Sequence, residues 1–75
     1  MRIQINEKDG HLEAFLAHEG KSFLIGRREI PLTTKDARDL LNHAMDVIVS
    51  HAPAEERGAL LSKLGHRVQK HIGKE

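Results

Sequence analysis

Cysteine, tryptophan and tyrosine are absent from this chain of 75 residues, and phenylalanine occurs only twice, at Phe15 and Phe23. Without cysteine there is neither a disulfide framework nor a thiolate zinc site, and a fold of this size without such staples usually relies on well-packed helices or on a second subunit. With two aromatic residues there is no platform on which single-stranded bases could stack. Apolar runs such as Phe23-Leu24-Ile25 and Val47-Ile48-Val49 stop after three residues, against roughly 20 for a membrane-spanning helix. Met1-Arg2-Ile3 opens with neither the apolar stretch nor the small-residue cleavage site of a secretory signal, and a cytoplasmic protein is expected.

What is present is charge. Charged residues make up 31% of the chain and hydrophobic ones 39%, with a mean hydropathy of -0.48, the composition of a globular protein rather than a disordered one. The net charge of +1 conceals an uneven distribution. Five basic residues balance five acidic ones up to residue 32, three face five over 33–57, and four face one from Gly58 onward. No repeat, low-complexity tract or Pro- and Ser-rich linker divides the chain. One domain over 1–75 is expected, β-rich over 1–32 and a helical hairpin over 33–73.

The first part alternates. Ile3 and Ile5 are flanked by Arg2, Gln4 and Asn6, the period of a half-buried strand, and the strand ends at the turn dipeptide Asp9-Gly10. Leu12, Ala14 and Leu16 fit a second strand, although Leu12, Phe15 and Leu16 also fit one face of a helix. The strand is favoured because Glu19-Gly20 then forms a hairpin turn into the β-rich run Ser22 to Ile25. Gly26 suggests a bulge or a strand end, and Pro31 stops the ladder.

Thr33 before Asp36 reads as a helix N-cap with an acid in the first turn. Ala37, Leu41, Ala44, Ile48 and His51 form a stripe, with Leu40 and Val47 on one side of it and Met45 and Val49 on the other. So wide an apolar arc predicts a neighbour beyond the sheet, and Leu40, Met45, Val47 and Val49 are the candidate interaction surface of a homodimer. Pro53 opens a second helix running to about Ile72, with Glu55 and Glu56 in its first turn. Folding the helices antiparallel about position 51 sets Ala44 against Gly58, Leu41 against Leu61 and Ala37 against Gly65. The expectation is close helix packing, in which leucine at Gly58 or Gly65 would force the helices apart. The expected core is Leu41, Ala44, Ile48, Leu61, Leu64 and Val68 from the helices, with Ile3, Ile5, Leu12, Leu16 and Leu24 from the sheet.

Little in the sequence carries chemistry. Gly20-Lys21-Ser22 matches the end of a phosphate-binding loop, but Phe15 stands where that motif needs its first glycine and a strand follows where it needs a helix. Asp39, His43 and Asp46 share the polar face of the first helix, and neither a His-Glu-x-x-His motif nor paired cysteines accompany the six histidines. His66 and His71 are too far apart in register for one ion, and His51 beside the hairpin loop suits packing or capping. No serine lies in a Gly-x-Ser-x-Gly elbow. No catalytic residue, metal site or cofactor is therefore assigned. The feature with most reach is the basic stripe Lys63, Arg67, Lys70 and Lys74 at i, i+4, i+7 and i+11, a candidate phosphate-binding face. Glu55-Glu56 at the start of the second helix opposes its use as a DNA recognition helix.

Three strands followed by the Thr33-capped helix are similar in order to HicB-type antitoxin domains, although the segment from Gly26 to Asp36 lacks their compact glycine-acid-threonine turn. The likeness carries no residue across and implies only a small regulatory protein. The expected fold is α+β, a three-stranded antiparallel meander followed by an antiparallel helical hairpin. The expected function is a non-catalytic interaction module, an adaptor, regulator or inhibitor acting as a homodimer on another protein. The alternatives are a nucleic-acid-associated regulator using the basic stripe and a histidine-dependent metal protein.

Overall fold

The computed structural model describes residues 1–73. Its elements are β1 (Arg2–Lys8), β2 (His11–His18), β3 (Lys21–Glu29), α1 (Thr34–His51) and α2 (Ala54–Gln69), and the strands form one antiparallel sheet in the order β1-β2-β3. The α+β meander and hairpin expected from the sequence are therefore present. Two-residue loops join the strands, closed by the pairs Lys8 with His11 and His18 with Lys21. Asp9 and Gly10 have φ of 53° and 74°, and Glu19 and Gly20 have 51° and 77°. Positive φ at both central residues matches the twist of the flanking strands and fixes their register. Lys21 and Ser22 thus continue out of a hairpin turn rather than a phosphate loop.

Alternation places Leu12, Ala14 and Leu16 of β2 and Ile3 of β1 on the covered face. β3 departs from simple alternation. Gly26 pairs with Ala14 and Leu24 with Phe15, so Ile25 is an extra residue in a β-bulge. The bulge turns Ile25 into the core and leaves Leu24 57% exposed, which corrects the expectation that Leu24 is a core residue. Ile5 packs at the margin of the core.

Both helices cover the same face of the sheet, α1 over β3 and α2 over β1. Thr33 caps α1, its Oγ1 accepting the Asp36 N–H at 3.0 Å. At the other end the Arg57 side chain of α2 donates from Nε to the Ala52 carbonyl at 3.2 Å and from Nη2 to that of Val49 at 3.3 Å. A cation thus completes carbonyls that have no partner within the helix and complements the negative end of its dipole. Replacing Arg57 with alanine is expected to lower stability by about 1–2 kcal/mol. A chemical-denaturation midpoint unchanged in that variant would show that the two bonds are solvent-exchanged and contribute nothing.

The buried helical residues are Ala37, Leu40, Ala44 and Ile48 of α1 and Leu60, Leu64 and Val68 of α2. Leu41 and Leu61 stand at the margin, packed against the core but only partly covered. The core-facing stripe is thus rotated from the expected one toward Leu40 and Leu60. The cause is Gly26: a Cβ built there would lie 2.6 Å from Leu40 Cδ2. The missing side chain on β3 is the space that Leu40 fills.

Close packing of small residues in the hairpin is not found. A Cβ built on Gly58 or Gly65 meets nothing within 4 Å, and Gly58 is exposed. These glycines lie away from the helix contact because the rotated stripe brings Leu60 and Leu64 inward instead. α2 also ends at Gln69 rather than near Ile72. Beyond it the chain bridges the linker before α1: Leu32 N–H donates to the His71 carbonyl at 2.7 Å and Gly73 N–H to the Leu32 carbonyl at 2.9 Å. His71 Nε2 lies 2.7 Å from Glu7 Oε1, tying this segment to the end of β1.

Candidate interaction groove

A groove of about 370 Å³ runs between the helices. Ala37 and Leu41 of α1 line one side, and Ser62, Gly65, His66, Val68 and Gln69 of α2 the other, with Ile72 beyond the helix end. The hydrophobic arc of α1 produces it. That arc is wider than the sheet can cover, so with Leu40 turned to β3, Leu41 is left between the helices only partly buried. On α2, Gly65 contributes no side chain, and the space a Cβ would take is open. Met45 and Val49 lie one and two turns beyond Leu41 at i+4 and i+8, on its side of α1. They are 50% and 52% exposed, and Ile72 is 37% exposed. The apolar lining therefore continues onto the surface at both ends.

The four residues expected to form an interaction surface separate into two pairs. Leu40 is fully buried and is no part of any surface, because it fills the Gly26 space. Val47 is partly buried beside the core, about 20° around the helix from Leu40. Met45 and Val49 remain exposed on the other side, next to the groove.

Of the basic stripe, Lys63, Arg67 and Lys70 are exposed along α2, and Lys74 lies outside the described residues. Arg27 and Arg28 do not extend it. Arg27 Nε is 3.9 Å from Glu13 Oε2, a cross-strand neighbour on the face of the sheet that the helices leave open, and Arg28 Nε is 3.9 Å from Asp36 Oδ1 at the start of α1. From Lys63 to Lys70 the stripe extends about 10 Å. Three cations neutralise about three phosphates, half or fewer of the roughly six to ten that give tight, steeply salt-dependent duplex binding.

Among the described residues no three His, Asp or Glu side chains converge on a point that could hold a metal ion. Asp39, His43 and Asp46 share a helix face without forming such a group. The His51 ring stacks on Phe23 of β3, with centroids 3.9 Å apart and planes 14° from parallel, so it packs against the sheet rather than between the helices. A hollow of about 400 Å³ beside the β2–β3 turn is lined by Arg2, Gln4, His18, Lys21 and Ser22, among others. Its lining is exposed or half-exposed and of mixed charge. On the open face of the sheet, Phe15 sits between Gln4 and Leu24, an apolar pair interrupted by polar neighbours.

Sequence reasoning missed Ser62, His66 and Gln69 as groove residues. The available signal is a glycine inside a helix, at position 65: the sequence reading takes it for close contact, and the structure leaves open space there. Comparison with protein-family models, with curated proteins and with solved structures finds no match. The likeness to HicB-type domains is one of element order alone.

Proposed function

We propose that this chain is a small, non-catalytic interaction module that binds another protein through the groove between α1 and α2. One observation carries the reading: the groove's apolar lining runs out onto Met45, Val49 and Ile72, large hydrophobic side chains that are 37–52% exposed. A contiguous apolar strip with a polar rim is the signature of a docking surface, whereas single exposed hydrophobic residues are not. The rim groups Ser62, His66 and Gln69 suit orientation of a bound chain, and no nucleophile and base are paired among them.

A second copy of the chain is the competing occupant. Burial of Leu40 removes one of the residues that suggested a homodimer, and molar mass from light scattering decides the point. The functional test is affinity capture from a lysate of the source organism after nuclease treatment, comparing the native protein with Gly65→Leu and Met45→Glu. The native protein is expected to retain a partner that both variants lose. Equal retention by Gly65→Leu would reject the groove as the binding site.

A further inference from the structure

We infer that β1 is a docking edge for an extended, acidic segment of another protein, which adds as a fourth strand below the basic side of α2. The site is separate from the groove, across α2 from it, and stands whether or not the groove holds a partner. The backbone comes first. Among the described residues β1 pairs with β2 alone, and its register runs unbroken from Arg2 to Lys8 with neither proline nor bulge. The turn that follows fixes which backbone groups are free. Lys8 and His11 close a two-residue turn and exchange backbone hydrogen bonds, and pairs of that kind recur at every second residue of the ladder. Arg2, Gln4, Asn6 and Lys8 thus bond to β2, while Ile3, Ile5 and Glu7 turn their N–H and C=O groups out of the sheet. None of these three has a backbone partner elsewhere among the described residues. The opposite edge is different, because β3 carries the bulge at Ile25, and a bulge turns an edge away from pairing.

Charge then selects the occupant. Across the covered face α1 lies over β3 and α2 over β1, so the side of α2 away from α1 overhangs the free edge. Gly65 marks the groove side of α2 and Leu64 its core side. At about 100° per residue, Lys63, Arg67 and Lys70 lie about 140–160° around the helix from Gly65 and about 60–120° from Leu64. They are therefore on the overhanging side, and all three are exposed. On the open face of the sheet β1 adds Arg2 and Lys8 at its two ends, with the neutral Gln4 and Asn6 between them. Two acids lie near: Glu7, held by His71 Nε2 at 2.7 Å, and Glu56, seven residues before Lys63 and so about 10 Å up the helix. A strand added about 4.8 Å beyond β1 sends alternate side chains toward α2, and three of them at i, i+2 and i+4 span about 13 Å. That is close to the roughly 10 Å from Lys63 to Lys70. Lysine and arginine stems can lie over such a strand and bring their charged ends to its carboxylates. A second copy fits poorly. Pairing β1 with β1 would set two helices, each about 10 Å across, over strands about 4.8 Å apart, with their basic sides facing. A nucleic acid would leave the strand edge unpaired.

The test uses two dye-labelled eight-residue peptides that share threonine at every second position and carry glutamate or lysine at the others. Binding to the full chain is followed by fluorescence anisotropy, with a DNA duplex as a third probe. The glutamate peptide is expected to bind at least about tenfold more tightly than the lysine peptide. The double variant Lys63→Glu/Lys70→Glu should weaken it about tenfold, a loss that added salt masks. Backbone pairing is read separately. In antiparallel addition the residues facing α2 also point their N–H groups at β1, so methylating the glutamate nitrogens should weaken binding at least about tenfold, and methylating the threonine nitrogens should leave it within about twofold. Equal effects of the two modifications overturn the edge, and equal binding of the two charge forms overturns the acidic occupant. Tighter binding of the duplex overturns both. Gly65→Leu is expected to bind the glutamate peptide unchanged; a loss there would place the peptide in the groove and reject the edge, whereas the groove reading itself stands or falls on its own capture experiment.

Discussion

Truncating Leu40 to alanine is expected to lower stability by about 2–5 kcal/mol, the range for a fully buried leucine whose surroundings cannot collapse. A chain of this length has a total stability of about 4–11 kcal/mol. The variant should therefore melt at least about 10 °C lower. The environment argues for the upper part of the range. Leu40 is fully buried between α1 and β3, and opposite it stands Gly26, which has no side chain to move into the void. The same geometry predicts non-additivity. Gly26→Ala alone places a Cβ 2.6 Å from Leu40 Cδ2 and should cost about 1–3 kcal/mol through overpacking. In the Leu40→Ala background that methyl group occupies space the leucine has left, so the double variant should be more stable than the sum of the single changes implies. Strict additivity in the cycle would show that Gly26 and Leu40 do not share one volume.

That pair also shows where the sequence was legible and where it was not. Strand period, turn dipeptides and the Thr33 cap are local signals, each decided by a few neighbouring residues, and they predicted the βββαα order and its turns. The bulge is not local. Nothing in Ser22 to Gly26 reveals that Ile25 rather than Leu24 turns inward, because that depends on the register against Ala14 and Phe15. Rotation of the helices follows from the bulge and Gly26 through tertiary contact, so Leu40 and Leu41 exchanged the roles that periodicity alone gave them. The site was legible in its parts. Met45, Val49, Lys63 and Lys70 were recognised as surface residues, but assigned to two separate functions. Only the placement of α2 beside Leu41 forms the groove, which Gly65 lines and Lys63 and Lys70 do not.

Replacing both Gly58 and Gly65 with alanine should stabilise the protein by about 1–2 kcal/mol and raise its melting temperature by roughly 5–15 °C. Both positions are inside α2, where glycine is about 1 kcal/mol less favourable than alanine because it surrenders more backbone freedom on folding. The gain is normally offset when the new methyl group collides with a neighbour. Here a Cβ at either position has nothing within 4 Å, so the helical term should appear almost undiminished. A thermal melt of the double variant separates two arrangements of the hairpin. If the melting temperature falls, α1 and α2 approach through these glycines, and the antiparallel pairing about position 51, Ala44 with Gly58 and Ala37 with Gly65, describes the interface. If it rises, the helices meet through Leu60, Leu64 and Val68, and the glycines are places where stability has been left unused. Gly58 is exposed, so the helical term is the whole of its effect. Gly65 lines the groove, and there a methyl group should stabilise the free protein while narrowing the space for a docked side chain. Loss of binding together with a gain in stability at position 65, and a gain in stability alone at position 58, is the pattern expected of a glycine kept for access rather than for packing.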